Sequence, residues 1–447
     1  MKMELYPDQL QAADDFEGWL LNHTTHLAGL WASAGYGKSY CVKHLINEVV
    51  IKNSNYTPVL TSMTHSAVDV LAEFTGMAVN TLHSLMGWVP YVDKDTGEEG
   101  ISTPKMRDSN ADPRLERNML VVVDEAGLMG HNEVALLKKE CKETGARVLL
   151  VGDNKQCFPV TKEGEELCIP AYDATECKMH LTEPKRVDKG DVIFALSQAY
   201  RRAVDGERQP RLRTLLNADG TGRGIRHVDD IEEFAYKAFE AGVRDGNVRD
   251  IKVLAFTNKR CLSLNRKIRK KVMGLKDPVP IVGEEMVANT AITTSTGDNV
   301  LIRNNQKLIV KTVEPTTSFG LAGAFIQYLD MDGEDIEETV FVPATPDKLL
   351  TRLKQMAYEA NQFTSQGDKT EASKKWRAFY SLKEGCADIR FTYAMTVNKS
   401  QGTTLKHALV DLCDINSCRD LEQKTRLAYT AVSRATHFVT IEGKLTK

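Results

Sequence analysis

The apolar run HLAGLW passes directly into Ala32-Ser33-Ala34-Gly35-Tyr36-Gly37-Lys38-Ser39 and from there into a helical stretch. A glycine-rich turn between a buried strand and a helix belongs to a parallel α/β sheet, where it opens on the carboxyl edge of the strands. Gly35 and Gly37 let the backbone fold tightly enough for its N–H groups to face phosphate oxygens. The helix N-terminus adds a favourable partial charge. Lys38 can reach the outer phosphates of a nucleotide and the Ser39 hydroxyl can ligate Mg²⁺. Ala34, Gly35, Tyr36, Gly37, Lys38 and Ser39 are therefore the candidate nucleotide-binding residues, with Ala32 standing where the general pattern has its first glycine. The loop alone fits a kinase, a GTPase or a motor.

Three more short β-branched runs, TPVLTSM, MLVVVDEA and ARVLLVGD, alternate with helical stretches up to residue 152, which predicts a parallel sheet with helices on both faces. The pattern recurs after residue 250, with IKVLAFTN, IRFTYAMTV, HALVDL and HFVTIEG as strands and LEQKTRLAYTAVSRA as a helix. Two such cores in one chain invite a cleft between them. Residues 280–345 are rich in Val, Ile, Thr and Gly with turn signals, which suggests a β-rich module. Residues 346–385 are charged and helical in pattern, and Trp376, Phe379 and Tyr380 are expected to anchor that arm. Residues 86–118 form a smaller interruption with a hairpin-like Thr-Gly turn in WVPYVDKDTGEEGIS.

The chain has 447 residues, enough for about three domains at roughly 150 residues each. No apolar run approaches the ~18 residues that span a bilayer, so a cytoplasmic protein without membrane contact is expected. Nine dispersed cysteines without a C-x-x-C pair speak against a disulfide framework and a zinc site. A net charge of −3 is less basic than a dedicated nucleic-acid coating protein, yet phosphate contacts need only a few well-placed donors.

VVVDEAG places Asp124 and Glu125 at the end of an apolar strand, beside the phosphate loop in a parallel sheet. Asp124 can hold Mg²⁺, and Glu125 can act as general base for an attacking water. Hydrolysis of ATP, rather than transfer to a second substrate, follows from a base for water. In VGDNKQCFPV, Asp153 and Gln156 stand where a polar side chain can sense the γ-phosphate. Arg186 in LTEPKR and Arg434 in AVSRA suit a charge clamp on a phosphoryl group in transit.

Together these segments resemble the superfamily-one helicases, and more closely their RecD-like branch, from Tyr6 to about Ile441. YPDQLQA resembles the Q motif, ASAGYGKS motif I, SMTHSAVDVL motif Ia and TLHSLMG the motif after it. VVVDEAG is similar to motif II, GDNKQCFPV to motif III, TVNKSQGTT to motif V and YTAVSRA to motif VI. LTEPKR resembles the motif that carries a γ-phosphate arginine, and AFTNKRCLSLNRKIRKK resembles the matching segment of that branch. Asn398 replaces the usual histidine of motif V, and Lys185 stands where some relatives carry an aromatic.

The resemblance implies two RecA-like parallel-sheet domains, at 1–85 with 119–190 and at 191–280 with 386–447. It also implies a pin inserted at 86–118 and an SH3-like β module with a projecting arm at 281–385. It implies that Gln9 reads the adenine, that Gln401 and Gly402 border the nucleotide, and that Arg186 and Arg434 register the γ-phosphate. Nucleic-acid contacts are expected from Thr64, His65, Thr81, His83 and Ser84 in the first half, and from Thr257, Asn258, Thr396, Lys399 and Ser400 in the second. Trp88 or Tyr91 is the expected stacking residue of the pin. The implied enzyme is a monomeric ATP- and Mg²⁺-dependent 5′-to-3′ helicase of phage or bacterial type. It would act on single-stranded and forked duplex DNA beside replication, repair or recombination proteins. An RNA-directed motor and a nucleotide-gated clamp that does not unwind share the core motifs.

Overall fold

A computed structural model describes residues 5–22, 25–92, 99–160, 166–185, 190–276, 278–290, 292–293, 300–302, 306–330, 333 and 335–446. The chain divides into two compact units, one of Met1–Val89, Ser102–Cys261 and Met395–Lys447, the other of Pro90–Ile101 and Leu262–Ala394.

The first unit contains both predicted parallel sheets. The first has strand order Val79–Thr81, Thr57–Ser62, Met119–Asp124, Arg147–Gly152, Leu27–Trp31, Cys177–His180, with all neighbouring strands parallel. Leu27–Trp31 is buried along its whole length, as a strand covered by helices on both faces must be. Register then fixes the functional edge. Trp31 lies beside Gly152 and His180, and Ser62 beside Asp124. The glycine loop, Thr64, the Asp124–Glu125 pair and Asp153 thus all leave the sheet at the carboxyl ends of its strands.

The second sheet runs Ala394–Thr396, Ile251–Ala255, Leu405–Asp411, Ala435–Glu442, Gly224–Val228, Leu215–Leu216. The middle four strands are parallel, and Leu215–Leu216 closes the edge antiparallel. Its core is continuous with the helices Val192–Val204 and Leu421–Ser433 through Ile193, Leu196, Tyr200, Leu427 and Ala431.

His407 is half-buried on the strand Leu405–Asp411, between the rings of Phe234 and Phe438, with a 2.9 Å hydrogen bond between Nε2 and Thr440 Oγ1. Burial first, and the Arg226 guanidinium second, push its pKa down to about 4. The unfolded chain therefore binds the proton before the native one does. The stability this histidine contributes is complete above its unfolded pKa of ~6.5 and is lost as pH falls towards 4. We expect the acid-side loss of stability to shrink by up to about 3 kcal/mol in His407→Gln, measured as urea midpoints between pH 7 and 4. An unchanged pH dependence contradicts this assignment.

In the second unit, a five-stranded antiparallel sheet has the order Asp335–Pro343, Leu321–Leu329, Lys307–Ser318, Glu285–Ala288, Ile389–Phe391. The helices Pro346–Ser365 and Lys369–Gly385 follow as a hairpin, closed by Ala360 against Trp376 and Tyr380, both buried. These aromatics anchor the hairpin. Of the 86–118 interruption, only Pro90–Ile101 separates from the first unit, and Val89–Val92 pairs with Glu99–Ser102. The expected Thr-Gly turn lies outside the described residues. Among the described residues no helix is long and apolar enough to cross a membrane.

Candidate nucleotide cleft and nucleic-acid face

Gly35 and Gly37 adopt φ of 81° and 80°, the left-handed conformation that the loop requires and that glycine takes at no steric cost. Gly37 caps the helix Lys38–His44. The Lys38 ammonium folds back over the loop, donating to the carbonyls of Ala32 at 2.9 Å and Ser33 at 3.2 Å. It is held ready at the loop by weak neutral acceptors that a phosphate would outcompete.

Asp124 ends its strand and accepts a 2.9 Å hydrogen bond from the Glu125 amide. Burial raises the Asp124 pKa, the Glu125 carboxylate raises it further, and Lys38 and that amide act in the opposite sense. A half-buried carboxylate crowded by a second one is short of positive charge, and with the Ser39 hydroxyl at the start of the loop helix it makes an oxygen donor set suited to Mg²⁺. Glu125 itself has φ 53°, a conformation rare for a side-chain-bearing residue.

Gln9 is buried against the loop, its amide 3.4 Å from the Gly37 carbonyl and its oxygen accepting from the Tyr6 amide. Lys185 completes this wall. Its ammonium pairs with Asp8 at 2.8 Å and lies 4.0 Å from the centroid of the Tyr6 ring, while its amide donates to the Gly35 carbonyl. Burial opposes the Asp8 charge, but Lys185 and the amides of Glu183 and Thr182 outweigh it and lower its pKa. Asp8 was not evident from the sequence because its partners lie about 175 residues away in the chain.

The opposite wall comes from the helix Leu421–Ser433. Arg426 donates to the carbonyls of Asn154 and Gln156, and Thr430 Oγ1 accepts from the Cys157 amide. Gln401 Nε2 donates to Gln156 Oε1 at 3.4 Å, which joins a residue of each core. Gly402 follows in the left-handed conformation. Asn398, in the place of the usual histidine, donates to the Phe158 carbonyl at 3.5 Å. Arg434 is buried and turned back on its own helix end, towards the Thr430 carbonyl and the Ser433 hydroxyl. Arg186 lies outside the described residues.

The expected nucleic-acid contacts divide by exposure. Thr64 and Thr81 cap helices, accepting from the Ala67 and Ser84 amides. His65 begins the first of these helices and Ser84 is exposed on the second. His83 is engaged by Glu133 at 3.0 Å. Thr257 donates to Asp414 at 2.9 Å and caps the helix that Asn258 opens. Thr396 is nearly buried, and Lys399 is half-buried in the turn Asn398–Ser400.

Two expectations are corrected. Ser400 is wholly buried with its hydroxyl bonded to the Val397 carbonyl, so it shapes the turn and presents no donor to a strand. Trp88 is only 5% exposed and packs edge-on against His83, which leaves no face for a base. The Tyr91 side chain lies outside the described residues.

The AAA domain family matches residues 4–219, and the UvrD-like helicase C-terminal domain matches residues 391–441. The ATP-dependent DNA helicase Dda of Enterobacteria phage T4 is 24% identical over 432 residues, which cover 91% of this chain and 92% of the phage protein. An uncharacterized protein of Acanthamoeba polyphaga mimivirus is 22% identical, covering 93% of this chain and 95% of its own. Among solved structures, a Pif1 helicase described in DNA unwinding at forked duplexes has the same fold, with a TM-score of 0.51 at 14% identity over 98% of this chain and 92% of that one. With an AAA domain in its first half, a UvrD-like helicase C-terminal domain in its last and a phage DNA helicase similar along nearly its whole length, the chain is a superfamily-one helicase related to Dda, an enzyme that hydrolyses ATP.

Proposed function

We propose that the chain is a DNA helicase that moves 5′ to 3′ along single-stranded DNA and opens duplex ahead of it. The observation that carries this reading is the bipartite cleft. The nucleotide loop and the Asp124–Glu125 pair come from the first core, while Gln401, Arg426, Thr430 and Arg434 come from the second. A site divided between two cores can change their separation when its occupant changes, which a single-core kinase or GTPase site cannot. The relative Dda is named a DNA helicase, which supports DNA as the track.

In this reading Lys38 leaves the Ala32 and Ser33 carbonyls for the phosphates, and Glu125 orients and deprotonates the attacking water. Mg²⁺, held by Ser39 and Asp124, would offset phosphate charge there. Arg186 and Arg434 register the γ-phosphate, Arg434 by turning away from its helix end. Gln156 and Gln401 carry closure towards Thr64, His65, Thr81, His83, Ser84, Thr257, Asn258, Thr396 and Lys399, which hold backbone phosphates without reading sequence. Residues 86–118 act as the pin, and 281–385 form the SH3-like module with its projecting arm.

Duplexes with a single 5′ or 3′ tail, in DNA and in RNA, test this directly. We expect ATP-dependent opening of the 5′-tailed DNA at least about tenfold faster than of the 3′-tailed one. Equal or better opening from a 3′ tail refutes the polarity, and preference for RNA tracks refutes the substrate.

A further inference from the structure

The helix Val192–Val204 belongs to none of the helicase motifs, yet it touches both halves of the cleft. Ile193, Leu196 and Tyr200 pack into the second core. From another face, Phe194, Gln198 and Arg201, spaced at i, i+4 and i+7, meet the nucleotide loop and its neighbours.

A single directed hydrogen-bond chain runs through this contact. The Tyr36 hydroxyl donates to Gln198 Oε1 at 3.0 Å, and Gln198 Nε2 donates to Ser33 Oγ at 3.1 Å. Ser33 Oγ lies 2.6 Å from the Tyr429 hydroxyl, which donates to Asp153 Oδ2 at 2.5 Å. With the Tyr429 proton committed to the carboxylate, Ser33 must be the donor in its own bond. Every link therefore points from the nucleotide loop towards Asp153. Ser33, Tyr429 and Asp153 are almost wholly buried, so each bond is protected from competition by water. Arg201 lies 3.9 Å from Asp153 at the chain's end, with its Nε buried and without an acceptor among the described residues.

We propose that Gln198 is a positioning residue that couples the state of the nucleotide loop to the second core. Gln198 is the only member of the chain that grips the loop at two points, Ser33 and Tyr36, and its helix is fixed in the second core. A change in loop geometry on nucleotide binding moves both grips, and the helix transmits that movement. Gln156–Gln401 is a parallel contact, so losing Gln198 weakens coupling without abolishing it. The inference rests on the helicase reading.

Its test is Gln198→Met, which keeps side-chain volume and removes both hydrogen bonds. The readouts are base pairs opened per ATP hydrolysed on a 5′-tailed duplex, the KM for ATP and the strand-stimulated kcat. We expect base pairs per ATP to fall about fivefold while KM rises less than about threefold. Tyr36→Phe, which removes one bond of the chain and keeps the ring, lowers the ratio in the same direction and decides the matter should Gln198→Met not fold. Arg202→Ala is the control, since Arg202 on the same helix pairs with Glu207 at the surface. An unchanged ratio in the two chain variants, or an equal fall in Arg202→Ala, overturns the proposal. A wild-type protein without strand-dependent turnover overturns the helicase reading instead.

Discussion

Lys38→Ala abolishes strand-stimulated ATP hydrolysis, with a loss on the order of 10³-fold, and leaves the fold in place. Both halves of this result follow from where the ammonium lies. Its two contacts are carbonyls of its own loop, 2.9 Å and 3.2 Å away, and a neutral hydrogen bond contributes only about 1 kcal/mol net to stability. Gly35 and Gly37 hold the loop conformation through backbone preference rather than through the lysine. Catalysis has no substitute for it, because the phosphoryl group needs a fixed positive charge at the moment negative charge moves onto its oxygens. Steady-state turnover with saturating single-stranded DNA measures the loss, and thermal unfolding measures the fold. Residual turnover above a tenth of wild type refutes the assigned role. Lys38 is also one of the influences lowering the Asp124 pKa, so its removal raises that pKa further, keeps more of the carboxyl protonated at a given pH and weakens the oxygen site for Mg²⁺.

The sequence carried the nucleotide loop and the carboxylate pair because their meaning is local. Eight consecutive residues specify a loop, and register in a parallel sheet does the rest, since Ser62 beside Asp124 and Trp31 beside Gly152 follow from continuous buried strands. The contacts that join the two cores were not legible. Ser33 and Tyr429 are 396 positions apart, and neither type of residue announces a partner. Gln198 sits in a helix whose apolar pattern explains its packing and hides its polar face. Exposure was the other blind spot. A serine in KSQG and a tryptophan after a helix read as available groups, whereas the structure turns Ser400 onto the Val397 carbonyl and seats Trp88 against His83.

Glu125→Gln lowers kcat by about 10²–10⁴-fold while ATP binding survives, which separates the base from the phosphate cradle. The backbone at this residue supports the role. Glu125 is one of two side-chain-bearing residues with positive φ among the described residues, and it is pinned by the Asp124 carboxylate on its amide and by the Leu128 amide on its carbonyl. A conformation that costs on the order of 1 kcal/mol and is held from both sides aims a side chain rather than relaxing it. Gln keeps the shape and the strain and loses only the basic oxygen. It also removes the charge that raises the Asp124 pKa, the second influence after burial. Asp124 then ionises at lower pH, so Mg²⁺-dependent nucleotide binding persists further into acid in the variant than in wild type. Binding of a fluorescent ATP analogue across pH 5 to 8, beside single-turnover hydrolysis, reads both effects. Wild-type hydrolysis in Glu125→Gln refutes the base, and an unshifted binding profile refutes the electrostatic coupling of the two carboxylates.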